Sequence, residues 1–122
     1  MNTKTAYISG AITGVENDNL PRFRAVQEML EDLGYNTIVP HDLDPKSNNP
    51  NWTDWMRACL IALMDADILV SIPEDNYSKG AEVERHVSQR LSIPIVPLAQ
   101  IKRFDEMLWS EDAIFRKEEI NV

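Results

Sequence analysis

Apolar positions along the chain alternate between short unbroken runs and runs spaced at three and four residues. "TAYIS" (Thr5–Ser9) is a short β-prone run closed by Gly10. After a loop containing Gly and Asn, Phe23, Val26, Met29, Leu30 and Leu33 fall at helical spacing, with Pro21 near the start and Gly34 as a C-terminal stop. Residues 36–40, "NTIVP", read as a second buried strand. Residues 42–51, "DLDPKSNNPN", carry two prolines and three asparagines and read as a loop. A loop of this length inside a compact domain is usually functional or disordered. The spacing predicts a helix over 52–66 with Trp52, Trp55, Met56, Cys59, Leu60 and Leu63 on one broad face. Residues 67–73, "DILVSIP", form the clearest buried-strand pattern. A helix from about Gly80, a strand over 93–98 and a charged tail with a helical 104–109 complete the order.

Strand and helix therefore alternate, the pattern of an α/β fold: a flavodoxin- or Rossmann-like parallel sheet with helices on both faces. Residues 1–122 are expected to form a single domain, with a motif-bearing core over 5–98 and a tail over 99–122. Such sheets bind ligands beyond the C-terminal ends of their strands, near the switch in strand order. Three loops belong there: "SGAITG" (9–14), "PHDLDPKSNNPN" (40–51) and "PEDNYSKGAE" (73–82).

Composition narrows the function classes. At 43% hydrophobic and 26% charged the chain is that of a globular protein, and no run approaches the roughly 18 to 20 apolar residues of a membrane span. "MNTK" leads straight into the first strand without a signal-like apolar stretch, and Cys59 has no second cysteine to pair with, so a cytoplasmic location is expected. The formal charge of −8, with the basic residues scattered, argues against polymeric nucleic acid as a partner. A small anion can still be held by backbone N–H groups at a loop or helix start.

The candidate chemistry lies in the loops. In "SGAITG", glycine lets backbone approach a ligand and the N–H groups of the turn suit phosphate or sugar oxygens, but taken alone the stretch reads as a plain strand-to-helix turn. The spacing fits neither a dinucleotide fingerprint nor a P-loop. In "SKGAEVE", Ser78 and Gly80 sit just ahead of a helix and suit an anion, or Ser78 is an ordinary N-cap. At about 100° per residue Glu82 lies beside Arg85, His86 and Gln89 and faces water. Glu84 falls only about 60° from an apolar stripe of Val83, Val87 and Leu91, which makes it the carboxylate at the margin of a buried seam. Trp52, Trp55 and Met56 read as core or subunit interface, with stacking on a base as the alternative. His41, His86 and one cysteine offer too little for a zinc site, and no metal or cofactor is expected.

Taken together, "YISGAITG", "WMRACLIALMDADILVSIP" and "SKGAEVE" resemble the nucleoside 2-deoxyribosyltransferase-like superfamily, over about Tyr7 to Leu98. That superfamily includes 2′-deoxynucleoside 5′-phosphate N-hydrolases and small bacterial and phage proteins. The resemblance implies cleavage or transfer of the N-glycosidic bond of a nucleoside or nucleoside 5′-monophosphate. Glu84 would be the nucleophile, Tyr7 would orient it, and Ser9, Gly10, Thr13, Gly14, Cys59, Ser78 and Gly80 would contact substrate. It also implies a homodimer or larger assembly, with which the aromatic content of Trp52, Trp55 and Trp109 agrees. Two positions depart from the family pattern: Thr13 stands where phosphate-using members carry a basic residue, and Cys59 stands where an aspartate is usual. A nucleotide-binding protein that has lost turnover is therefore the alternative.

Overall fold

The computed structural model describes residues 3–73 and 77–108, and Trp109 with the rest of the tail lies outside them. The described residues form β1 (Thr5–Ser9), α1 (Leu20–Asp32), β2 (Asn36–Ile38), α2 (Trp52–Leu63), β3 (Ile68–Ser71), α3 (Lys79–Arg90), β4 (Ile95–Pro97) and α4 (Ile101–Leu108). The four strands pair in parallel in the order β2-β1-β3-β4. Since β1 is followed by β2 on one side and paired with β3 on the other, the switch in strand order falls between β1 and β3. There Ser9 pairs with Ser71 at the C-terminal ends.

The alternation of side chains along β1 sends successive residues to opposite faces. Ala6 and Ile8 join Phe23, Val26 and Leu30 of α1 and Ile101 of α4 in one apolar cluster, with Ile68, Val70 and Val96 from the neighbouring strands. Tyr7 and Leu69 lie on the other face with Cys59 and Leu63 of α2, and Val87 of α3 packs against them. Helices thus cover both faces, as expected. Each fully buried Leu, Ile or Phe in these layers contributes about 1.5–3 kcal/mol of transfer free energy.

Local chemistry fixes the element ends. Asn51 and Asp54 form a reciprocal capping box at the start of α2, and Ser78 Oγ accepts the Ala81 N–H at 3.2 Å to cap α3. Asn17, Asp18 and Asn19 take left-handed φ values of 54°, 54° and 60° just before α1. Asn and Asp tolerate that region better than other non-glycine residues. The segment is tied down by Asn19 Nδ2, which donates to the Ala11 carbonyl at 2.9 Å.

Several sequence expectations change. The stripe of Val83, Val87 and Leu91 is not the buried face of α3: Ala81, Glu84 and Ser88 are, and Leu91 is 53% exposed just past the helix end. Small Ala81 and Ser88 let the helix approach the sheet closely, and Val83 and Val87 are left half-buried on its flank. Trp52 and Trp55 are exposed rather than core, while Met56, Cys59 and Leu63 form the buried face of α2. The second strand ends at Ile38, and Pro40, which has no N–H for a ladder, opens a short 3-10 turn over Pro40–Asp42. Among the described residues no helix is long and apolar enough to cross a membrane.

Candidate functional site

The ends of β1 and β2, the start of α2 and the start of α3 enclose a cleft of about 890 Å³. Small-molecule sites commonly have volumes of about 300–1,000 Å³. Gly10, Thr13, Cys59, Ser78, Gly80 and Glu84 line it, so six of the nine residues singled out from the sequence converge on one space. Gly14 is not among the lining residues; its φ of +83° gives it a backbone reason to be glycine.

Tyr7 and Ser9 lie beneath the cleft rather than in its wall. Both are fully buried, and as alternate residues of β1 they project from the same face of the sheet toward α3. The Tyr7 hydroxyl donates to Glu84 Oε2, and Ser9 Oγ donates to Glu84 Oε1 at 2.9 Å. Glu84 is only 4% exposed, whereas Glu82, two residues earlier, is exposed on the outer face with His86 and Gln89, beside half-buried Arg85. Taking a carboxylate out of water costs several kcal/mol unless it is hydrogen-bonded, and the two hydroxyls offset that cost. Burial, and secondarily the Glu84 charge, push the Tyr7 phenol far above its ordinary range, so it remains a neutral donor.

Cys59 occupies both of the environments its position suggested. It lines the cleft, and it also packs against Tyr7, Leu63 and Leu69 with 6% of its surface exposed. Burial pushes its thiol up to about 11; the Glu84 charge acts in the same direction and a hydrogen bond with Tyr7 acts against it. The thiol is therefore protonated at neutral pH, and the sulfur beside the Glu84 carboxylate is neutral.

The glycines have packing reasons of their own. A Cβ on Gly10 would come within 3.1 Å of Ile72 Cβ and 3.4 Å of the Phe23 ring, and one on Gly80 within 3.2 Å of Met56 Sδ. Gly10 thus closes β1 against the core, and Gly80 lets α3 start against α2, whatever a ligand requires of either.

Several cleft residues were not singled out as site residues. Tyr77, 73% exposed, lines the cleft together with Trp52 and Trp55, and Lys79 Nζ sits 4.0 Å above the Trp52 ring centroid. His41 Nε2 lies 2.7 Å from the Asp18 carbonyl oxygen, which can only accept, so the hydrogen is on Nε2. The imidazole packs edge-on against Phe23 with centroids 4.7 Å apart. The signal for His41 was present: it directly follows the β2 run, where the strand-end rule puts ligand contacts. Tyr77 had only its place in the third loop. Among the described residues no three His, Cys, Asp or Glu side chains gather as a metal-binding group.

A domain of unknown function, DUF4406, matches residues 4–97. The solved structure of a 2-deoxyribosyltransferase from the psychrotolerant bacterium Bacillus psychrosaccharolyticus is similar, with a TM-score of 0.63 and 22% identity, over 76% of this chain and 70% of that one. A 2-desoxiribosyltransferase from Leishmania mexicana gives a TM-score of 0.61 and 13% identity, over 77% of this chain and 63% of that one. No curated protein matches the chain. The fold is thus nucleoside 2-deoxyribosyltransferase-like.

Proposed function

We propose that this chain, which belongs to the DUF4406 family, cleaves or transfers the N-glycosidic bond of a nucleoside or nucleoside 5′-monophosphate, with Glu84 as nucleophile. The observation that carries this reading is the Glu84 carboxylate, buried at the wall of the cleft and held on both oxygens by hydroxyls from β1. A carboxylate fixed in that way stabilises the positive charge that grows on an anomeric carbon as its base departs. One Glu84 oxygen then forms a bond to that carbon as the C–N bond breaks, and the base leaves with the electron pair and takes up a proton. Water, in a hydrolase, or a second base, in a transferase, attacks the same carbon and releases the carboxylate. Trp52, Trp55 and Tyr77 offer aromatic surface for the base.

A second reading is favoured by Cys59. A thiol pushed up to about 11 supplies no carboxylate for sugar orientation and little acid strength for base departure, which suits a binding protein that keeps the pocket without turnover. Incubation with a panel of nucleosides and 5′-monophosphates, followed by chromatography for free base, tests the first reading. Release of base from any of them is expected. Ligand-induced thermal stabilisation with no base released from the whole panel supports the second.

A further inference from the structure

We infer that Ser9 is a positioning residue for Glu84 rather than a substrate contact, and that it sets the ionisation of that carboxylate together with Tyr7. The inference rests on the proposed role of Glu84 for its catalytic meaning, but not for its test. Ser9 is fully buried and is not among the residues lining the cleft, so its side chain faces Glu84 rather than the open cleft. Its hydroxyl is spent on Glu84 Oε1 at 2.9 Å, while Tyr7 holds Oε2.

Two donors act differently from one. Tyr7 holds one oxygen of a side chain whose last torsion is broad and weakly restrained for glutamate. A second donor on the other oxygen, arriving from the same strand two residues on, fixes the plane of the group. Both donors favour the ionised form, because a hydroxyl donates best to a charged oxygen. Neither donor competes as a base: the Tyr7 phenol is held neutral by burial, and serine does not ionise. The pairing of Ser9 with Ser71 at the end of β1 anchors the donor in the sheet, so it cannot follow a moving side chain.

The test follows the carboxyl carbon of Glu84 by NMR in the full chain labelled at glutamate, with the resonance assigned by its loss in Glu84→Gln. In Ser9→Ala the titration midpoint of Glu84 is expected to rise by on the order of one pH unit, since a hydrogen bond to the charged form is lost. Ser9→Cys retains only a weak donor and is expected to move the midpoint in the same direction by less; it also serves if the alanine variant does not fold. An unmoved midpoint in a folded variant would overturn the inference and leave Ser9 a packing residue. Where the wild-type chain releases base, Ser9→Ala should lower kcat with little change in KM and shift the acidic limb of the pH profile upward. If wild type releases no base while the midpoint still moves, the proposed reaction fails and the positioning role stands.

Discussion

The Tyr7 hydroxyl donates to the carboxylate of Glu84, joining the central strand to a helix 77 positions later in the chain. The contact ties the sheet to the helix that bears the candidate nucleophile, and it survives only while the phenol stays protonated. Tyr7→Phe keeps the ring and removes the donor. Leaving a buried carboxylate oxygen without that partner costs roughly 1–3 kcal/mol of stability. Base release is expected to fall by about ten- to a hundredfold through kcat, a loss of about 1.4–2.7 kcal/mol of barrier stabilisation. Chemical denaturation and steady-state kinetics on the same preparation check both effects.

The start of α3 bears on whether the ligand carries a phosphate. Ser78 already caps the helix through the Ala81 N–H, so Ser78→Ala should lower the melting temperature of the free protein, by an amount equivalent to about 1 kcal/mol. The informative quantity is the further shift on adding ligand. If Ser78 and the N–H groups near Gly80 hold a phosphate, a 5′-monophosphate stabilises the wild type more than its nucleoside does, and Ser78→Ala narrows that gap. Equal stabilisation by the two ligands would show that the cleft reads the sugar and base alone.

Cys59 lies where a second acid would meet both the cleft and the Glu84 carboxylate. In Cys59→Asp, two carboxyl groups would share a mostly buried site, and their repulsion keeps one protonated near neutral pH. A protonated acid at that point assists departure of the base, so base release should rise at least tenfold, about 1.4 kcal/mol of barrier. A lowered melting temperature is expected with it. Cys59→Asn, uncharged and of similar size, should give no gain. A folded aspartate variant with unchanged base release would contradict this account of the position.

Alkali should destabilise the fold through the same pair of buried groups. Tyr7 and Cys59 both have their ionisation raised on folding, from ordinary values of 10.0 and 9.0. For a group raised in this way, the stabilising contribution is complete below the unfolded-state value and disappears as pH climbs through the folded-state value. Stability should therefore hold to about pH 9 and then decline, with the Cys59 share lost between about 9 and about 11. Cys59→Ser should flatten that part of the curve by on the order of 2 kcal/mol. Urea midpoints measured from pH 7 to 11 on both proteins provide the comparison.

Much of this site was legible in the sequence because it depends on periodicity. The alternation of short apolar runs with helical spacing determines the parallel sheet, and the sheet places Gly10 and His41 just past its strand ends, with Ser78 at the start of the helix that follows β3. Helical angles alone separate Glu84 from Glu82. What periodicity could not reveal was how small residues change depth: Ala81 and Ser88 bring α3 down on the sheet, so the polar side of the apolar stripe is the buried one. The destination of the Ser9 hydroxyl was equally hidden, because it depends on a contact across 75 positions. Trp52 and Trp55 mislead for a related reason, since a cleft wall and a core present the same aromatic residues to a spacing rule.

Attack of Glu84 on the sugar is decided by free-base release from wild type and Glu84→Gln side by side, with Glu82→Gln as control. Base is expected from wild type and from Glu82→Gln. Glu84→Gln should lose at least a thousandfold in rate, about 4 kcal/mol of barrier, while ligand-induced thermal stabilisation persists. Base release by Glu84→Gln at a rate close to wild type would contradict attack by Glu84.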